Sequence, residues 1–145
     1  MADWTETFKG AIPTSEYDPN AHMNTQTYVS RFDQATWFLL ATVGITPRKA
    51  RAFGRRIAVI RQSLQFVHEL RGGELVTIHS GFISVGHKHL RFVHRMTDAE
   101  TGALVATSDC TAVSVDRETD KSVALSTELT DQAKSLLVTI NDAER

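Results

Sequence analysis

The stretch YDPNAHMNTQTY, residues 17–28, sets a carboxylate (Asp18), a histidine (His22) and an asparagine (Asn24) close together, directly ahead of a segment with helical periodicity. Asp18 is ionised at neutral pH on the ordinary aspartate value of about 3.9, so it can serve as a nucleophile or as a general base toward water. The N-terminus of a helix adds free backbone amides and a partial positive charge, a place for an anion. The same residues also suit plain structure. Asp-Pro-Asn is a turn in which the aspartate bonds its own backbone and Pro19 presets φ, and Asn24 is a common helix cap. Taken alone, the stretch favours the structural reading. His22 stays open between a loop tie and a ligand contact, and Tyr28 supports the site by packing on the first turn.

Other chemistry-bearing groups read as structure. Asp33 is a second acid on the helix, best taken as a solvated charge or a partner of Arg31 or Arg56. His87 and His89, with His79 on a neighbouring strand, invite a zinc reading but lack a third ligand and a spacing signature. Cys110 is a small core residue, since no base is available to activate it. The run PRKARAFGRR carries Arg48, Lys49, Arg51, Arg55 and Arg56 without an acid. A solvated connector explains it, although a phosphate-bearing ligand would need such cations; Lys88, Arg91 and Arg95 are rivals for that role.

The chain has 145 residues, enough for one domain over 1–145. Its 16 basic and 17 acidic residues give no global field for nucleic acid or an anionic membrane. One cysteine allows no internal disulfide and suits a reducing compartment. The opening MADWTETFKG has no apolar run, and no stretch approaches a membrane span. The expectation is a soluble cytoplasmic protein with neither nucleic-acid nor membrane partners.

The elements that must position Asp18 follow from periodicity. WTETFKGAIPTSEY reads as an edge strand that Asp18-Pro19-Asn20 breaks. From Gln26 to Val43, Tyr28, Phe32, Ala35, Leu39 and Val43 recur at helical spacing, with Trp37, Phe38 and Leu40 filling the other side, so the helix should be buried nearly all round at its C-terminal end. Gly44 and Pro47 stop it. After the basic connector, four β-branched segments punctuated by Gly72-Gly73, Gly86 and DAETG form an antiparallel meander. Leu129, Ala133, Leu136, Leu137 and Ile140 stripe a terminal helix capped by Thr127 or Thr130. The fold class is α+β. One helix too apolar for solvent needs a five-stranded antiparallel sheet curled around it, and the open edges of such a sheet predict self-association.

This order of elements resembles the hot-dog fold, a sheet wrapped around a long central helix with a short C-terminal helix. YDPNAHMNTQTYVSRFDQA is similar to the signature of the acyl-CoA thioesterases grouped with 4-hydroxybenzoyl-CoA thioesterase. A large branch of that family carries Asp-x-x-Gly-His-x-Asn-Asn-x-x-Tyr. Asp18, His22, Asn24 and Tyr28 match it in place; Ala21 replaces the glycine and Thr25 the second asparagine. The resemblance implies hydrolysis of an acyl-CoA to a carboxylic acid and coenzyme A. Asp18 would be nucleophile, through a mixed anhydride, or general base, and the backbone amide of Thr25, seven residues on, would hold the oxyanion. A backbone donor tolerates the change of side chain. His22 and Asn24 would tie down the loop or meet the acyl group.

Tyr28, Trp37, Arg91 and Lys88 are the expected substrate contacts. No metal and no cofactor beyond the substrate's own coenzyme A is expected, and the partners are acyl-CoA and further copies in a homodimer or homotetramer. Two other readings stand beside this one. A hot-dog enoyl-CoA hydratase would pair Asp18 with His22, although DPNAH is one residue shorter than the hydratase motif and lacks its proline. A non-catalytic acyl-CoA-binding module would bind without turnover. Trp4, Tyr17, Trp37, Phe38 and Phe82 can line an aromatic pocket for an aryl or a cationic acyl group such as betainyl, or can simply pack the core.

Overall fold

The computed structural model describes residues 3–13, 25–71 and 73–140. Five strands, β1 (Thr5–Ala11), β2 (Arg55–Phe66), β3 (Leu75–Val85), β4 (His89–Asp98) and β5 (Leu104–Asp116), and three helices, α1 (Thr25–Ala41), α2 (Pro47–Ala52) and α3 (Thr127–Ser135), follow one another as β1-α1-α2-β2-β3-β4-β5-α3. The strands form one antiparallel sheet in the order β1-β3-β4-β5-β2.

The expected meander therefore holds only for β3, β4 and β5. β2 crosses to the far side and pairs with β5 from Arg55↔Asp116 to Phe66↔Ala106. The reason lies between β2 and β3: the His68 amide donates to the Val105 carbonyl while Leu70 is fully buried, so the chain turns under the sheet instead of closing a hairpin. β1 and β2 are thus the two edges of the sheet. At the β4–β5 turn, Asp98 Oδ1 accepts from the amides of Glu100 and Thr101, and Gly102 adopts φ +77° to close it.

α1 ends where glycine predicts. Gly44, at φ +84°, donates to Ala41 O and Ile45 donates to Leu40 O, the paired bonds of a left-handed helix stop, while Leu40 and Ile45 pack together. Val43 lies beyond the helix, though buried. The expectation of burial all round fails at Phe38, which is 63% exposed, and at Ala41. Pro47 starts an element as well as barring the previous one. Thr46 caps α2 by accepting from Lys49 N, and Pro47 takes the first helical position, where its missing N–H costs nothing. The terminal helix is capped by Ser126 rather than Thr127 or Thr130, and it stops at Ser135. Leu137 instead bridges Phe82 on the stretch of β3 that β1 leaves open, so the end of the stripe lies along a strand.

The buried face of α1 lies against the sheet over two apolar clusters. Tyr28, Phe32 and Ala35 join Ile12, Leu70, Val76, Ile78, Met96, Val105 and Ala106 in one. Leu39 and Leu40 join Phe82, Leu90, Phe92, Cys110 and Ala112 in the other. A polar row crosses the sheet between them: Thr7 of β1 meets Ser80 of β3, Ser80 meets His94 of β4, and Ser108 of β5 meets Gln62 of β2.

Candidate active site

Asp18, His22 and Asn24 lie outside the described residues, as does Tyr17. What the structure places is the ground they would act against. α1 is described from Thr25 onward, with Thr25 and Gln26 exposed and no acidic residue among its first four described residues. Tyr28 sits at the same end, 5% exposed, with its ring 5.1 Å from Phe66 in an edge arrangement. The Tyr28 ring is a packing residue that ties the first turn of α1 to the end of β2.

The other expected contacts are dispersed. Trp37 is half-buried against the second apolar cluster. Arg91 makes a two-pronged ion pair with Asp109, at 3.0 and 2.6 Å, and that hydrogen bond holds its guanidinium pKa above the ordinary value. Inward positions on β4 are Leu90, Phe92, His94 and Met96, so Arg91, Val93 and Arg95 project from the opposite face of the sheet. Lys88 is exposed in the turn before β4. On that opposite face a cavity of about 210 Å³ is lined by Trp4, Val93, Arg95, Thr107, Asp109 and Ile140, with Ser63 and Gln65 of β2, and Arg95 stands 5.4 Å over the Trp4 ring. Trp4 thus belongs to the outer face, and Phe82 is fully buried in the core.

Asp33 is an exposed helical acid; Arg56 pairs with Asp120 instead, and Arg31 lies over the Phe8 ring at 5.6 Å. Burial raises the pKa of the Cys110 thiol, so it stays protonated at neutral pH as a small core residue. His87 and His89 are exposed, and His87 lies in the turn rather than on a strand face. Among the described residues no group of three His, Cys, Asp or Glu side chains comes together to hold a metal ion. Nor is any described helix long and apolar enough to cross a membrane.

One feature went unread in the sequence. His94 is fully buried, with Nε2 2.8 Å from Thr36 of α1 and Nδ1 2.5 Å from Ser80. Thr36 spends its own proton on Phe32 O at 3.0 Å, so its oxygen accepts from His94 Nε2–H. Nδ1 then accepts from the Ser80 hydroxyl, whose oxygen also lies 2.8 Å from that of Thr7; the Thr7 hydroxyl reaches Ile78 O as well, at 3.3 Å. The chain of bonds fixes a neutral imidazole and pins the middle of α1 to β4. Burial lowers the His94 pKa to about 3. The alternation Leu90, Phe92, His94, Met96 pointed the ring inward; nothing local pointed to Thr36, 58 residues away.

Residues 12–133 match the thioesterase-like superfamily. The chain belongs to that family. A betainyl-CoA thioesterase from Pseudomonas aeruginosa is 24% identical over 109 residues, covering 75% of this chain and 69% of the relative. A Staphylococcus aureus protein solved in complex with CoA superposes with a TM-score of 0.88 at 16% identity, over 97% of this chain and 90% of its own. A 1,4-dihydroxy-2-naphthoyl-CoA thioesterase from Synechocystis superposes with a TM-score of 0.81 at 11% identity, over 92% and 98%. Superfamily membership and these likenesses agree with the five-stranded antiparallel sheet and its helices, the hot-dog arrangement that the order of elements implied.

Proposed function

We propose that the protein hydrolyses the thioester of an acyl-CoA, giving a carboxylic acid and coenzyme A, with Asp18 as nucleophile or general base and the first amides of α1, that of Thr25 foremost, as the oxyanion site. The enzyme class, acyl-CoA thioesterase, follows from superfamily membership together with the betainyl-CoA thioesterase relative. The observation that supports the mechanism is that the chain is already helical at Thr25, seven residues after Asp18 in the sequence, with no acid among Thr25, Gln26, Thr27 and Tyr28. Such fixed donors cost no reorganisation when the carbonyl oxygen takes up charge, and loss of one typically raises the barrier by about 2.7 to 4 kcal/mol.

Along the nucleophilic route, the Asp18 carboxylate adds to the thioester carbon, the C–S bond breaks, and the coenzyme A thiolate leaves and takes up a proton. Water then cleaves the anhydride and restores Asp18. Along the general-base route, Asp18 takes a proton from the attacking water, and that proton ends on the departing sulfur. Either route needs only substrate and water. The whole chain forms one hot-dog domain in this reading, with the sheet curled about α1 as its central helix.

The assembly is a homodimer through β2. This edge strand of 12 residues leaves one side of its backbone unpaired and exposes Val59, Ile60, Phe66 and Val67 along or just past it. A second copy pairing there across a two-fold hides both amides and apolar surface.

The test is thiol release from a panel of short, long, aryl and cationic acyl-CoAs, with crotonyl-CoA included. Release of thiol from at least one substrate in proportion to acid formed supports the reading. Loss of the crotonyl double bond without thiol would make the protein a hydratase, and binding without turnover of any substrate would make it a non-catalytic acyl-CoA-binding module.

A further inference from the structure

Residues 34–68 contain six arginines and lysines and no aspartate or glutamate, in a chain whose formal net charge is −1. The structure divides those cations. Arg55 is paired with Asp116 at 3.0 Å and Arg56 with Asp120 at 3.3 Å. Arg48, Lys49 and Arg51 of α2 are all exposed and meet no acid among the described residues. Ala50, 8% exposed, turns the inner side of this short helix onto the protein, which leaves the three cations together on the outside. Arg48 and Arg51 are three residues apart and share a helix face. The rival Arg91 has its charge held by Asp109.

We infer that Arg48, Lys49 and Arg51 bind the phosphates of coenzyme A seated in the active site of a partner copy. This rests on the thioesterase reading and deepens it. Within one protomer the cluster is at the wrong end: α1 spans 17 residues, about 25 Å at 1.5 Å per residue, from Thr25 to the side where α2 follows. β2 runs back along that length, from Arg55 beside α2 to Phe66 beside Tyr28. A two-fold through the open edge of β2 that keeps both inner faces on one side reverses the strand. The partner's α2 then comes to the Phe66 end, where Tyr28 and Thr25 lie. The thioester is held by one copy, and the phosphates at the far end of the same ligand are held by the other.

Two measurements on the full-length protein decide it. In calorimetry with free coenzyme A and with pantetheine, which lacks the phosphates, R48A/K49A/R51A should raise the Kd for coenzyme A roughly 10- to 100-fold and leave pantetheine affinity as in the wild type. An unchanged Kd for coenzyme A, or an equal loss for both ligands, overturns the proposal. In the second, a mixed dimer joins one D18N protomer to one R48A/K49A/R51A protomer, and an acyl-CoA that the wild type hydrolyses is the substrate. One of its two sites then combines an intact Asp18 with an intact partner α2, so the wild-type KM should return; a KM still raised overturns binding by the partner copy. If the wild type releases thiol from no acyl-CoA, the thioesterase reading fails, and the calorimetry alone still decides whether α2 holds the phosphates.

Discussion

His94→Gln should flatten the pH dependence of folding stability between pH 7 and pH 5. In the folded chain the imidazole is buried among Phe32, Thr36, Ser80 and Phe92, none of which ionises, and burial holds its pKa at about 3. In the unfolded chain the same ring titrates near 6.5. The folded value is thus depressed for a base. The unfolded state takes up a proton first as pH falls, and the stability contributed by neutral His94 is complete above 6.5 and drains away from there down to about 3. At 1.36 kcal/mol per pH unit the loss is about 2 kcal/mol by pH 5 and roughly 5 kcal/mol by pH 3. Glutamine does not titrate, so the variant loses about 1 to 3 kcal/mol at pH 7 through broken hydrogen bonds, and it should give up about 2 kcal/mol less than the wild type on going to pH 5. Urea unfolding of both proteins at pH 7, 6 and 5 measures this difference, in which the titration of every other group cancels. Parallel losses of stability would refute the argument, because they would mean that His94 is protonated equally in the folded and unfolded chains.

Two further outcomes follow from packing. An added Cβ at Gly81 would overlap the Val138 side chain; Gly81→Ala should therefore cost about 1 to 3 kcal/mol by thermal or chemical unfolding, and most of that should return in Gly81→Ala/Val138→Ala. Ile60 of β2 is 63% exposed in the single chain; under the proposed pairing through β2 the wild type should sediment as a dimer and Ile60→Glu as a monomer, and a dimer that persists in the variant would place the interface elsewhere.

The strand and helix positions were legible because their periodicities are clean and their breaks are chemical. Gly44, Gly102 and the DAETG turn say where elements end, and the alternation Leu90, Phe92, His94, Met96 says which face of β4 is inside. The side to which β2 crosses was not legible, since its short link to β3 looks like that of a hairpin. What redirects the chain is the non-local pairing of His68 with Val105 and the burial of Leu70. The cap of α3 slipped to Ser126 because three hydroxyl residues, Ser126, Thr127 and Thr130, compete within five positions and only backbone geometry selects among them. At the site, the helical run through Tyr28, Phe32, Ala35 and Leu39 followed from spacing. The link through Thr36, His94, Ser80 and Thr7 joins four separate elements and has no sequence signature, and the pairing of Arg91 with Asp109 depends on strand register.

The central claim, that the acid of residue 18 works against the leading amides of α1, is tested most directly by Asp18→Asn. Single-turnover hydrolysis of an acyl-CoA that the wild type accepts should fall by several orders of magnitude, while calorimetric affinity for that acyl-CoA and the midpoint of unfolding stay close to wild type. Hydrolysis at the wild-type rate by the asparagine variant would contradict the account.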